Sequence, residues 1–339
     1  MPGIYSDIVD RLDLATNQFG QRMDAAAITN GTLFLEREMT QVRNKVLEVK
    51  YPANKAITFI PLATDVHPAA DTYVWKVTNS WGQARIINGD ETALPTVGAD
   101  AEEKTGKVIS LGIGYGWTRS EMQKAVWLGQ PLSEVLAMAA RRGVEISIDE
   151  ILRTGTLSST GQTANGLGGF CNNATVVKNQ VFHNWLSVGS TPTSLQIYWD
   201  LVAFVSSVRV ATKGLYDVDT LLIAQALFEK IANTPMFDIG ETTILQYFLR
   251  NNPNVKNVAM WERLDGAGDG TIGTSGYHQM IAFQRSNDVV EAVVPVRFEQ
   301  LMPQITGFKT SIPCVAKCGG VKIYVPAAMV YGFVNHSTT

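Results

Sequence analysis

The sequence predicts an α+β fold on three observations: β-branched and aromatic runs that read as strands, a long amphipathic stretch with helix caps at both ends, and no regular alternation of strand and helix. Regular alternation would have implied a doubly wound parallel sheet; no internal repeat and no charge run suggests any other regular architecture. The 339 residues give room for one large domain or two to three smaller ones. A chain of this size buries roughly three quarters of its extended surface.

Residues 1–50 are polar and mixed in charge, with helical spacing at Ile8, Leu12 and Leu14 and again at Leu33, Leu35, Met39, Val42 and Val46. The segment fits a solvated helical start to a globular domain, or an arm that finishes folding on a neighbouring subunit. Strands and turns follow. The run Thr72–Thr78 is rich in β-branched and aromatic residues, Asn79-Ser80-Trp81-Gly82 reads as a turn, and Gln83–Ile87 as the returning strand of a hairpin. Asn88-Gly89-Asp90, Pro95 and Gly98 make its exit irregular, so the hairpin projects. Alone, such a unit has too little core to be stable.

Lys107–Gly116 reads as a strand that runs into a helix start, where Thr118 and Glu121 have capping-box spacing. The first helix ends near Gly129 and Pro131 restarts it, since a missing N–H costs nothing in the first turn. Leu132, Val135, Leu136, Ala139, Gly143 and Ile146 continue an apolar stripe to about Ile151, with Gly155 as the stop. That is a spine of about 22 residues, roughly 33 Å long. Ala137, Ala139, Ala140 and Gly143 are small enough to let another element approach closely. Thr154–Asn173 is low in charge and rich in Gly, Ser, Thr and Asn, a natural boundary. Beyond it, helices are expected over Trp199–Thr212, Val218–Ala232 and Thr242–Asn251. Strands are expected around Val255–Trp261, Gln279–Phe283, Val289–Arg297 and Val321–Val330.

Composition excludes several functions. Charged residues are only 17% against roughly 25% in ordinary soluble domains, which suits extensive subunit contact. A net charge of −3 supplies no basic excess for a dedicated nucleic-acid footprint. Three cysteines without a CxxC pair point to a reducing compartment, and neither a signal peptide nor a membrane span is expected. No catalytic, cofactor or metal site is expected from the residues. His67, His183, His278 and His336 lack metal-ligand spacing, and Cys314 and Cys318 read as small buried residues. Asp265 to Gly270 lacks the calcium-loop pattern, GLGGF at 166–170 is no phosphate loop, and no serine sits in a GxSxG elbow.

Three segments carry a family likeness in their order along the chain: GYGWTRSEMQKAVWLGQPLSEVLAMAARRGVEISIDEILRTG, then GLGGFCNNATV, then CGGVKIYVPAAMVYG, all after the hairpin TYVWKVTNSWGQARII. The chain resembles the Hong Kong 97-type capsid subunit of tailed bacteriophages. The resemblance implies an N-terminal arm at 1–50, an extended E-loop hairpin at 51–98, a peripheral domain with the spine helix at 99–153 and 288–339, and an axial domain at 154–287. It implies a major capsid protein, not an enzyme and without cofactors, that self-assembles into pentamers and hexamers. The resulting icosahedral head would enclose double-stranded DNA, with scaffolding, portal and decoration proteins as further partners and no membrane. Assembly would take place in the host bacterial cytoplasm and the product would be the virion capsid. Alternatives are an encapsulin-type nanocompartment shell or an enzyme whose site is not recognisable. Expected inter-subunit contacts of the hairpin are Tyr73, Trp75, Trp81 and Ile86; Leu132, Leu136 and Ile146 are expected to seat the spine. The Lys–Asn cross-link of some relatives is not carried over, because Lys76 has no assignable partner.

Overall fold

The structure, a computed structural model, describes residues 54–86, 95–129, 131–157, 167–180, 183–187, 192–237, 241–265 and 277–335. The chain divides into two units, Met1–Pro52 and Ala53–Thr339, and all of the described residues belong to the second. The expected N-terminal arm therefore lies outside the described residues. So do His336, the Asn88-Gly89-Asp90 exit and most of the Asp265–Gly270 loop.

A single turn, α1 (Ala56–Phe59), is held where the Ala56 N–H donates to the Asp149 carboxylate at 3.0 Å. Next comes a two-stranded antiparallel ribbon of β1 (Thr72–Trp81) and β2 (Gly98–Lys107), paired without a break from Thr72 opposite Lys107 to Trp81 opposite Gly98. This corrects the expected hairpin. Asn79, Ser80 and Trp81 are not a turn but are paired with Asp100, Ala99 and Gly98, and the described part of the expected return, Gln83–Ile86, is not a strand. The true return, GADAEEKTGK, is made, Thr105 apart, of residue types depleted in strands. It is extended because β1, rich in Thr, Val and aromatics, pairs with it.

The chain continues into β3 (Ile109–Thr118), α2 (Arg119–Leu128) and α3 (Leu132–Thr154). The capping box is present: the Thr118 hydroxyl accepts from the Glu121 N–H and the Glu121 carboxylate accepts from the Thr118 N–H at 2.8 Å. These bonds hold the exposed Glu121 carboxyl below the usual range. Gly129 and Gly155 close the two helices in the left-handed region, at φ 66° and 72°. The buried stripe of α3 runs Ala140, Val144, Ile148, Ile151 and Leu152, rotated from the expected one. Val135 is 54% exposed and Ile146 36%, while Leu132 and Leu136 are half-buried. The first half of the spine lies on the face of a sheet and only its second half enters the core. Gly143 gives the expected close approach, since a Cβ there would stand 3.1 Å from the Ile113 side chain of β3.

After β4 (Val177–Gln180) and α4 (Ser194–Ala211), the expected helix at Val218–Ala232 proves to be β5 (Thr220–Ile223) followed by α5 (Gln225–Asn233). All four β5 residues are buried. A strand covered on both faces shows no alternation, so its apolar run cannot be told from a helix by periodicity. Next come α6 (Ile244–Asn251), β6 (Asn257–Met260), β7 (Tyr277–Phe283), β8 (Val290–Val293), β9 (Val296–Gln300), β10 (Gln304–Thr306), β11 (Lys309–Cys318), β12 (Gly320–Ile323) and β13 (Met329–Asn335).

Two sheets organise the body. A five-stranded mixed sheet has the order β4-β13-β7-β5-β6, with α4 seated so closely that a Cβ on Gly332 of β13 would come 2.8 Å from the Phe204 ring. The other sheet carries the spine: β3 pairs with β11, and β11 pairs on its far side with β10 and β9. Residues from 288 onward were expected to return as one piece to the spine. They split instead, because β13 inserts between β4 and β7 in the five-stranded sheet.

Candidate assembly surfaces

The ribbon is where the fold spends least on its own core. With a rise of about 3.3 Å per residue, ten paired residues reach roughly 30 Å, and apart from its root nearly every side chain is exposed. Period-two alternation puts Tyr73, Trp75, Val77, Asn79 and Trp81 on one face. At the root, Tyr73 stacks on Trp75 at 5.9 Å and Trp75 meets Tyr324 edge-on at 5.9 Å. Tyr73 lies flat across Gly106, where a Cβ would be 2.4 Å from the ring. Burial pushes the Tyr73 and Tyr324 hydroxyls well above the usual phenol range.

The tip is different. Trp81 lies across Gly98, where a Cβ would be 2.6 Å from the indole, yet remains 52% exposed; Ile86 is 93% exposed and Val97 76%. Of the four expected hairpin contacts, Tyr73 and Trp75 are thus engaged within their own chain, and Trp81 and Ile86 stand open. An ion pair from Lys76 to Glu103 at 3.2 Å braces the middle of the ribbon; exposed pairs of this kind contribute about 0–1 kcal/mol.

Sequence reasoning missed two further groups of exposed apolar residues near the spine sheet. The end of α2 exposes Val126, Trp127 and Leu128, with Trp127 at 85%, and the stretch from β9 to β11 exposes Met302, Ile305 in β10 and Phe308. The Phe308 carbonyl accepts from the Arg119 N–H at 2.9 Å, which ties the β10–β11 turn to the start of α2. A signal was present: three consecutive apolar residues before a glycine cap cannot all face one side of a helix.

Several polar groups pair with one another within the fold. His183 meets both Asp200 oxygens at 3.0–3.1 Å, with the Trp185 indole N–H donating to the same carboxylate at 3.0 Å. His278 is buried against Asp265, and the His67 ring accepts from the Ala69 N–H. Cys171, Cys314 and Cys318 are free and buried, the Cys318 thiol pushed up to about 11 by burial. Among the described residues no group of three or more His, Cys, Asp or Glu could hold a metal ion, and no helix is long and apolar enough to cross a membrane.

A family model described as major capsid protein matches residues 82–332. The capsid of Myoviridae phage XM1 is similar in structure at 14% identity, with a TM-score of 0.75 over 89% of this chain and 98% of that one. Structures from Gordonia phage Cozz (12% identity, TM-score 0.60, 91% and 94% covered) and Mycobacterium phage Adephagia (13%, 0.60, 93% and 99%) are similar as well. No curated protein matches the sequence. At such identities the likeness is one of fold, and the fold is Hong Kong 97-like.

Proposed function

The chain belongs to the major capsid protein family, and on that premise we propose that it builds the icosahedral head of a tailed bacteriophage, as pentamers and hexamers enclosing double-stranded DNA. The observation that carries this reading is the ribbon: a ladder of ten pairs whose apolar tip the described residues leave uncovered. Trp81 and Ile86 are the tip residues that a neighbouring subunit would cover. Fully burying an aliphatic or aromatic side chain contributes about 1.5–3 kcal/mol, and repetition around closed symmetry turns modest contacts into a stable shell. The half-buried Leu132 and Leu136 and the exposed Ile146 put the open face of the spine within the same network of contacts.

In this assignment residues 1–50 form the arm, and the E-loop comprises the expected 51–98 extended through the return strand to Lys107. The peripheral domain comprises α2, α3 and the sheet in which β11 pairs with β3 on one side and with β10 and β9 on the other. The axial domain comprises the five-stranded sheet with α4–α6 and includes β13. The role is structural and non-catalytic, with scaffolding, portal and decoration proteins as partners during assembly in the host cytoplasm.

The test is to replace Lys76–Glu103 by a short glycine-containing turn, keeping the root pairs. A folded subunit that forms no closed particles in electron microscopy supports the role; particles of wild-type appearance refute it. Native particles should contain double-stranded DNA, and particles filled with a protein cargo would instead make the shell a nanocompartment.

A further inference from the structure

The antiparallel register of β12 and β8 sets Lys322 directly opposite Glu291. Opposed residues on one face of such a pair are neighbours, and opposite charges there ordinarily attract each other. Here the polar ends of the two side chains take other partners. The Lys322 ammonium lies 5.2 Å from the centre of the Trp75 ring and 5.6 Å from that of Tyr73, both on β1 of the ribbon. Glu291 accepts a hydrogen bond from the Tyr324 hydroxyl at 3.0 Å, and the Tyr324 ring in turn meets Trp75 edge-on. The lysine thus reaches out of its own sheet to the root of the projecting element.

A pivot lies just inside this contact. The Val108 N–H donates to the Asp71 carbonyl at 2.8 Å, and Lys317 reaches the Asp71 carboxylate at 3.4 Å. Tyr73 and Trp75 follow directly, so a contact on their rings acts on the lever beyond the pivot. With a lever of roughly 30 Å, a swing of about 10° moves the tip by about 5 Å.

We propose that Lys322 is the positioning residue of the ribbon: its ammonium, clasped by the rings of Trp75 and Tyr73, sets the docked angle, and Glu291 is the alternative seat it takes when the ribbon swings away. Two observations agree with this. Burial holds the Lys322 pKa below the usual lysine range, and the rings of Trp75 and Tyr73 lie within cation–π distance of its ammonium. Burial, with Asp65 and Asp288 nearby, holds Glu291 above the usual carboxylate range, and Tyr324 works in the opposite sense. A lysine that left the rings would relieve that charge. The clasp is a contact within one chain and stands whether or not the ribbon makes the inter-subunit contact proposed above.

Hydrogen exchange on the full chain tests it. Lys322→Gln, which removes the charge, should speed exchange of the root amides, Tyr73–Lys76 and Lys104–Lys107, by roughly tenfold while leaving β7 unchanged. Lys322→Arg, which keeps a cation able to stack on the rings, should restore exchange to within about twofold of the wild type. Glu291→Gln, still an acceptor for Tyr324 but no longer a competing charge, should slow root exchange. Unchanged root exchange in Lys322→Gln, an equal rise in β7, or failure of arginine to rescue would each overturn the proposal. If Lys322→Gln does not fold, Glu291→Gln decides: slower root exchange supports the clasp, and unchanged or faster exchange overturns it.

Discussion

The ribbon and the five-stranded sheet are both hydrogen-bonded ladders, yet they stand at opposite ends of the stability scale. The ribbon has ten consecutive pairs in unbroken register, more than any pair of strands in the five-stranded sheet. Its side chains are nevertheless exposed beyond the root, whereas β5 and β7 are buried almost throughout. Net hydrogen-bond contributions are small because water competes for the same groups. Burial is what separates the two. A long ladder without burial is therefore a reaching element, and its stability has to come from whatever it lies on.

That contrast can be broken by substitution. Phe283→Ala in β7 removes a fully buried ring that meets Phe170 edge-on at 5.2 Å and should cost about 3–5 kcal/mol; a loss below about 1 kcal/mol in denaturant unfolding would remove the distinction. Gly155→Ala puts a Cβ at φ 72° and 2.5 Å from the Leu167 carbonyl oxygen, so the end of the spine should lose about 1–3 kcal/mol. Thr118→Ala removes half of a capping box and should cost about 1 kcal/mol, read as a lower thermal midpoint.

A pH test sharpens the same point inside the core. Burial holds the Asp149 carboxyl above the usual range, opposed by the Ala56 N–H and the charges of Arg263 and Arg153. A raised folded-state pKa means the native protein binds the proton more tightly than the unfolded chain, so this group adds stability as pH falls through that value and withdraws it as pH rises. Asp149→Asn keeps an acceptor for Ala56 and loses this dependence. Its stability relative to wild type should be more favourable near neutrality than in the acid range, measured by denaturant unfolding at both. The smallest effect is expected at the ribbon tip: Trp81→Ala should change subunit stability by no more than about 0.5 kcal/mol while lowering particle yield.

What could be read from the sequence was set by local chemistry. The caps at Thr118, Gly129 and Gly155 are legible because their partners lie within a few residues. The strand β2 is not, since only its partner makes it extended, and β5 reads as a helix because both of its faces are covered. The strand β11 was not expected at all, and Pro313 in its interior is a residue that argues against a strand there. Its carbonyl accepts from the Leu301 N–H, so its missing N–H points to the same side, at the gap where the neighbour changes from β10 to β9. The ring positions of the ribbon all look alike in sequence. Which of them are covered depends on Lys322 and Tyr324, some 250 residues away.

The place of β13 has a consequence for synthesis. A ribosome makes the ribbon, the spine and four of the five strands of the large sheet before it makes the strand that joins β4 to β7. Until residue 335 has emerged, β7 keeps an open edge, and the long sequence separation of the β4–β13 pairing makes closure a late and slow event. A chain released early would carry a finished reaching element on an unfinished body. Open edges of that kind aggregate or are degraded, so errors of translation would tend to remove themselves before they could compete with complete subunits.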